Sequence, residues 1–348
     1  MGPFLVLLGV TLLWFLLPLL PALSELLRPS DVAPLKVVDR SAGLISFFAR
    51  NFRQYLEKVL PAEAGAGDYA AKLLDGTEFV RVTRRPDQLA APGAAENRLV
   101  VLDAPLTLPG NQTFLMECYA RGPLVSGPET NYRAVYAEHE LTLGESNRVF
   151  RWTHAGGPLT VGAHSVLRGR VSSDSRVMLG PDVVFERMGA PVIAHGSVQE
   201  PPARPNGANG LKAWQPPVET RKVGDHTRIE GDLDIPKGVR VSGSLVVAGR
   251  LRIGAGALVE GSVKAHRDIE LAEGAQVAGA AVTKTRLSIG AGSWVGGPAL
   301  AEKAIRLGPN AVVGGPQLPA TVSGTEVELA AGATVYGQIS GMRGARTV

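Results

Sequence analysis

The chain has 348 residues, of which 42 are glycine, 5% are aromatic and one, Cys118, is cysteine, so an intramolecular disulfide is excluded. This thiol lies in an apolar stretch, which favours a buried, unreactive side chain. Lys and Arg exceed Asp and Glu by 36 to 32, but in 223–348 thirteen basic residues are interspersed with eleven acidic ones. Without a basic run or interleaved aromatic residues, this pattern indicates a mixed solvated surface and argues against nucleic-acid binding.

The first predicted element is an uncharged N-terminal helix. No charged residue occurs before Glu25, and about 22 apolar residues at 1.5 Å each span roughly the 30 Å hydrocarbon core of a bilayer. We therefore predict a transmembrane anchor at 1–27. Its apolar positions include Leu5, Leu8, Leu12, Trp14 and Leu16. The alternative is a signal peptide cleaved near Ala22-Leu23-Ser24, which is disfavoured because no basic residue precedes a run longer than the usual 7–15 residues.

A juxtamembrane segment at 28–97 follows the anchor. Its basic residues, with none before the span, place the bulk of the chain in the cytoplasm by the positive-inside rule. Apolar residues such as Leu44, Phe48, Phe52 and Leu56 recur at helical spacing, which predicts an amphipathic helix at 41–60. Two interpretations of this helix stay open: it lies on the membrane surface, or it covers the first coil of the solenoid that follows, because open solenoid ends need capping. The sequence assigns no role to 61–97.

Two repetitive stretches make up the rest of the chain. In the first, at 98–198, Leu141-Thr-Leu143, Leu159-Thr-Val161 and Val177-Met-Leu179 are spaced by 18 residues, which predicts an irregular β-helix-like region. A proline-rich linker or loop is predicted at 199–222. The second stretch, 223–348, repeats regularly.

The regular stretch decides the fold class. Leu251-Arg-Ile253 and Ile269-Glu-Leu271 alternate apolar and polar residues, as strands with one buried side do, and glycines at the corners allow positive φ. A fixed 18-residue period is typical of a solenoid. We therefore predict an all-β solenoid, a parallel β-helix with 18-residue coils, preceded by an N-terminal transmembrane helix and a short helical segment.

No pattern of catalytic, cofactor-binding or metal-binding residues is found. The six histidines are scattered, and no P-loop, G-x-S-x-G or dinucleotide fingerprint occurs. We therefore predict no enzyme, no cofactor and no metal. One alternative is open, because apolar residues also recur every six positions from Ile253. That spacing resembles the hexapeptide repeat of left-handed β-helix acyltransferases, which implies trimers with a catalytic histidine between subunits, and His266 is the histidine in the regular coils.

A second resemblance rests on four segments. They are Gly231-Asp-Leu233, Val241-Ser-Gly243-Ser-Leu245, Leu251-Arg-Ile253-Gly254-Ala-Gly256 and Val259-Glu-Gly261-Ser-Val263. This block, within 223–344, resembles a bactofilin domain, which belongs to a polymer-forming cytoskeletal family of bacteria. The resemblance implies a right-handed β-helix that associates end to end into nonpolar filaments without nucleotide, attaches to the inner membrane and positions cell-envelope or morphogenesis enzymes.

The last coil is predicted to be an open end. It starts at Val327, and no amphipathic helix or charged strand follows to cover it. Unpaired backbone groups at such an edge are a template for another copy. The candidate polymer end comprises Val327, Leu329, Val335 and Ile339.

These observations together predict a single-pass protein of the bacterial inner membrane with a cytoplasmic, self-assembling scaffold rod. Its expected partners are further copies of itself, the membrane and cell-envelope proteins, with no nucleic acid. A further alternative is an envelope rod that binds its partner on the outer side of the membrane.

Overall fold

The computed structural model describes residues 2–19, 45–60, 68–84, 86–202, 211–216, 220–223 and 226–348. The chain divides into two compact units, Met1–Gly43 and Leu44–Val348. In the first unit, helix α1 covers Gly2–Leu16 and a 3₁₀ turn covers Leu17–Leu19. Among the described residues, none of the helices combines the length and the apolarity that a membrane crossing requires. Residues 20–27 of the predicted anchor lie outside the described part.

The second unit begins with helix α2, Phe47–Val59; positions 41–44 of the predicted helix lie outside the described residues. A 3₁₀ turn, Pro86–Gln88, lies between the second and third strands. The strands of the first half are β1 Tyr69–Lys72, β2 Glu78–Val82, β3 Ala95–Glu96, β4 Leu99–Leu102, β5 Leu106–Leu108, β6 Thr113–Ala120, β7 Leu124–Ser126, β8 Asn131–Ala137, β9 Leu141–Leu143, β10 Arg148–Ala155, β11 Leu159–Val161, β12 Val166–Ser173, β13 Arg176–Leu179 and β14 Val184–His195.

Nineteen further strands are described in the second half, beginning with two short strands and ending with two long ones that turn corners. They are β15 Lys212–Ala213, β16 Thr220–Val223, β17 His226–Ile229, β18 Leu233–Ile235, β19 Val239–Val241, β20 Ser244–Val247, β21 Leu251–Ile253, β22 Leu258–Val259, β23 Val263–Ala265, β24 Ile269–Leu271, β25 Gln276–Val277, β26 Ala281–Thr283, β27 Arg286–Ile289, β28 Trp294–Val295, β29 Ala299–Ala301, β30 Ala304–Leu307, β31 Val312–Val313, β32 Ala320–Leu329 and β33 Thr334–Thr347.

These strands form a parallel solenoid of about 14 turns with coils of about 18 residues, which confirms the predicted all-β solenoid. In the second half, Leu251 lies opposite Ile269, and Ile269 lies opposite Leu287, so residues 18 apart stack in register. We call the coils from Glu78 to His195 the first solenoid and those from His226 to Thr347 the second solenoid. The first solenoid starts before position 98, because β2 already pairs in parallel with β4.

The core is the interior of the coils. Aliphatic residues such as Ile253, Leu271 and Val277 are buried in rows because each coil is too narrow to bury its apolar side alone. In the first solenoid the rings of Phe114 and Tyr132 stack with centroids 4.9 Å apart.

Helix α2 lies along the outside of the first solenoid. We call the surface beneath it the flank; its outward side chains are Leu99, Val101, Tyr119, Tyr136 and Trp152. Ala49 and Leu56 are buried against this flank, and the ring centroids of Phe52 and Trp152 lie 5.3 Å apart. The helix begins beside β14, where Ile45 approaches Gly189, and ends beside the β1–β2 hairpin, where Tyr55 donates a hydrogen bond to Asp75. The apolar side of the helix packs along the wall of the first solenoid, over its first coils and the later ones, and the membrane-surface interpretation stays a prediction.

Candidate functional site at the seam between the two solenoids

The last coils of the two solenoids pair with each other. Strand β14 runs antiparallel to β33 along three sides of the coil, with Val184 opposite Arg346, Met188 opposite Ile339 and Ile193 opposite Val335. Neighbouring coils inside each solenoid pair in parallel, for example β12 with β14 and β31 with β33. The two solenoids therefore meet at their C-terminal ends, and we call this antiparallel contact the seam.

The predicted open end of the second solenoid is covered by this seam. Val335 and Ile339 lie directly opposite β14, and Val327 and Leu329 lie one coil behind in β32. All four candidate polymer-end residues are at most 1% exposed. The prediction of an open end is wrong, because the first solenoid ends in an equally apolar coil that pairs with it within one chain. A tethered partner has a high effective concentration and is favoured over a second copy.

The segment after β14 continues along the second solenoid. The Gln199 amide donates to Thr334 Oγ1 (2.9 Å), and the Tyr336 hydroxyl donates to the Gln199 carbonyl (3.0 Å), both near the seam. Further along the chain, β15 pairs in parallel with β19 in the outermost coil. The predicted linker at 199–222 therefore connects the seam to the far end, where the second solenoid starts winding back. Residues 203–210 and 217–219 of it lie outside the described part.

A groove of about 260 Å³ opens where helix α2 begins beside the seam. Both solenoids and the helix contribute to its wall. The residues that line it are Ile45, Ser46, Arg50, Ser172, Ser173, Asp174, Gly189, Ala190, Pro191, Pro319, Gly337 and Gln338. It therefore joins three structural parts of the chain.

A buried histidine lies next to this groove, between helix α2 and the flank. His154 is 1% exposed, its Nδ1 lies 2.8 Å from Ser172 Oγ, and its Nε2 lies 3.7 Å from Asp174 Oδ2. Arg50 Nη2 of the helix lies 3.6 Å from the other oxygen of Asp174. Burial lowers the pKa of His154; Asp174 opposes this effect, and Arg50 and Arg53 add to it. The imidazole is therefore held neutral under the helix.

Ser, His and Asp together suggest a catalytic triad, but the geometry differs from one. In a triad, Nε2 faces the serine and Nδ1–H the aspartate, whereas here Ser172 is on Nδ1 and Asp174 is nearest Nε2. Ser172 is also only 5% exposed, although it borders the groove, and its hydroxyl is engaged by His154 Nδ1. The arrangement fits a polar link that fixes helix α2.

Sequence reasoning missed this cluster, although a signal for it was present. His154 and Ser172 are 18 residues apart, and residues at that spacing are neighbours in adjacent coils. Two other residues considered in the sequence lie outside this cluster. His266 is exposed on the second solenoid. Cys118 is fully buried, which raises the pKa of its thiol to about 12. Across the part of the chain that the structure describes, His, Cys, Asp and Glu form no group of three suited to a metal ion.

Comparisons with known proteins give no match. Neither a family model, nor a curated protein, nor a solved structure resembles the chain closely enough to be matched. The resemblance to bactofilin stays a prediction.

Proposed function

We propose that the protein is a non-enzymatic, membrane-anchored scaffold rod that joins other copies end to end, in the manner expected of a bactofilin-like protein. One observation carries this proposal: the chain joins two solenoids by backbone pairing along three sides of their terminal coils. The same kind of contact is open to other coil ends, since an exposed strand edge pairs with any suitable backbone.

The outer coil of the second solenoid offers such an edge. Its three strands are β17, β18 and β19, of which β17 is covered by β16 and β19 by β15. Strand β18 pairs with β21 on its inner side, and no other strand of the described residues pairs with its outer side. We propose that β18, at the opposite end from the seam, contacts the next copy.

The anchor is part of the same proposal. None of the fifteen residues of α1 is buried, and Leu5, Leu12 and Trp14 are 60% exposed or more. An apolar helix with this exposure favours a lipid environment. We propose attachment to the bacterial inner membrane, with the rod in the cytoplasm, where it recruits cell-envelope or morphogenesis proteins.

A proline in β18 tests the proposed contact. The Leu233 amide donates to the carbonyl of Arg250, the residue just before β21, and peptide groups alternate sides along a strand, so the Asp234 amide points outward. Asp234→Pro therefore removes an outward donor and keeps the inner ladder, while the control Asp234→Ala keeps the donor. We expect filaments or large oligomers of the full chain and of Asp234→Ala in detergent, and much shorter assemblies of Asp234→Pro.

Electron microscopy and sedimentation velocity measure the outcome. A strictly monomeric full chain, or unchanged assembly of Asp234→Pro, contradicts the proposal. A discrete trimer instead supports the acyltransferase-like alternative.

A further inference from the structure

We propose that His154 is the pH-sensitive part of a latch that holds helix α2 on the flank, and that protonation of His154 releases the helix. The proposal is independent of the scaffold function, because it concerns the attachment of one helix to the first solenoid. It rests on the position of the imidazole beneath the helix and on the balance of charges around it.

The imidazole lies within the helix–solenoid contact. Its ring centroid is 4.9 Å from that of Tyr136, a flank residue, and Nδ1 is bonded to Ser172 in the neighbouring coil. Above it, helix α2 contributes Arg50, which faces Asp174, and Arg53, whose Nε lies 3.6 Å from Glu138. His154 is 1% exposed while the helix is docked.

The charges that act on the imidazole are those of Asp174, Arg50 and Arg53, and the two arginines favour its neutral form. Further cations of the helix–solenoid contact include Arg170 of β12, whose guanidinium lies 4.6 Å from the Phe48 ring centroid. Further anions include Glu57 of the helix and Glu138 after β8, which both pair with Arg53. Tyr119 and Tyr136 are the titratable phenols of the flank, and Tyr119 donates a hydrogen bond to Glu138. A protonated His154 would have to share the Asp174 carboxylate with Arg50, and Arg53 would add further repulsion.

Protonation and helix docking are therefore linked. A histidine with a lowered pKa in the docked state binds its proton more readily when the helix is released. The docked state keeps its full stability above the ordinary histidine pKa of about 6.5 and loses stability as the pH falls below it. Release carries Arg50 and Arg53 away and opens the histidine to water.

Hydrogen–deuterium exchange of the full chain in detergent micelles tests the latch. Peptides from 47–59 are followed at pH 7.5 and at pH 5.0, after correction for intrinsic exchange, beside peptides from β10 and β12. We expect the opening constant of helix α2 to rise by up to about tenfold per pH unit below about pH 6.5, while the strands stay protected. Unchanged protection of the helix, or joint loss of protection in helix and strands, overturns the proposal.

Three variants separate His154 from other titrating groups. His154→Gln cannot be protonated and should abolish the pH dependence of helix exchange. The matched control His164→Gln changes an exposed histidine beside Glu145 and Asp182 and should behave like the wild type. Arg50→Gln changes an exposed residue, removes one cation and should make the pH dependence shallower even if His154→Gln fails to fold. Equal pH dependence in Arg50→Gln and the wild type contradicts the latch.

Discussion

Two buried threonines differ in what their hydroxyl groups contact. Thr153 points into the first solenoid with 1% exposure, and its Oγ1 has no hydrogen-bond partner among the described residues. Thr347, at the seam, is equally buried, but its Oγ1 donates to the Gly180 carbonyl and accepts the Val183 amide, both at 2.8 Å. Burying a hydroxyl group costs free energy unless it is hydrogen-bonded. The Thr153 hydroxyl therefore destabilises the fold, and the Thr347 hydroxyl stabilises it.

Valine at each position therefore has opposite effects. Thr153→Val should raise the free energy of unfolding by about 1 kcal/mol, because an unpaired hydroxyl is removed at nearly constant volume. Thr347→Val should lower it by about 1–3 kcal/mol, because the Val183 amide at the seam loses its partner. Urea unfolding of the two variants measures both values. A change of the same sign in both would show that the hydroxyl contacts do not decide their stability.

Corner residues explain why the first solenoid looks irregular in sequence. In the second solenoid the corner is held by glycines such as Gly256, with a φ of 63°. The first solenoid has the same left-handed corners at non-glycine residues, with φ between 53° and 59°: Asn111, Glu129, Ser146, His164 and Asp182. The coils of the first solenoid could be predicted from their apolar rows. Their regular corners could not be predicted, because the residues at these corners are not the glycines that indicate a corner in the second solenoid.

Ion pairs between coils form ladders on the second solenoid. Arg252 in β21 pairs with Glu270 in β24, and Glu328 in β32 lies between Arg306 and Arg346 of the adjacent coils. These residues alternate in charge along one outward column. Exposed pairs contribute little stability, but a one-residue slip of the coil register would separate each pair, so the ladder favours the observed register.

Asp268 on this surface has a strongly lowered pKa. Hydrogen bonds from Arg286 Nη2 (2.9 Å) and Thr285 Oγ1 (2.6 Å) lower the pKa of its carboxyl to about 2. A lowered pKa in the folded state means that the stabilisation is present above the unfolded value of about 3.9 and is lost as the pH falls towards 2.

The variant Asp268→Asn should reduce the pH dependence of unfolding between about pH 4 and pH 2. Urea midpoints across this range, compared with the wild type, give the difference. The control Asp234→Asn removes an exposed carboxylate that has no ion pair among the described residues and should leave the slope as in the wild type. An unchanged slope in Asp268→Asn would refute the role of this pair.

Helix α2 could be predicted as an element, but its position on the solenoid could not. The spacing of Phe48, Phe52 and Leu56 predicts a helix, and the structure has one at Phe47–Val59. Its docking site could not be predicted, because the flank is assembled from single residues of successive coils, such as Leu99, Tyr119 and Tyr136. Each of these residues alone looks like an outward position of a strand.

At the scale of the whole molecule, the seam is the feature that sequence reasoning did not predict. Both solenoids could be recognised from their period, but Val184 and Arg346, which lie opposite each other, are far apart in the chain. No repeat encodes such a contact; it follows from two apolar coil ends that each leave backbone groups unpaired. Because the seam covers the C-terminal coil, the proposed assembly with other copies has to use a different surface.

Cysteine cross-linking across the seam is the most direct test of this account. Val184→Cys and Arg346→Cys place two thiols on directly opposed residues, the arrangement that a disulfide needs, while the buried Cys118 stays unreactive. Mild oxidation of the full chain, followed by non-reducing electrophoresis, should give an internally bridged monomer. Disulfide-linked dimers would show that the seam forms between chains, and absence of a bridge would show that the two solenoids do not meet; either result contradicts the account.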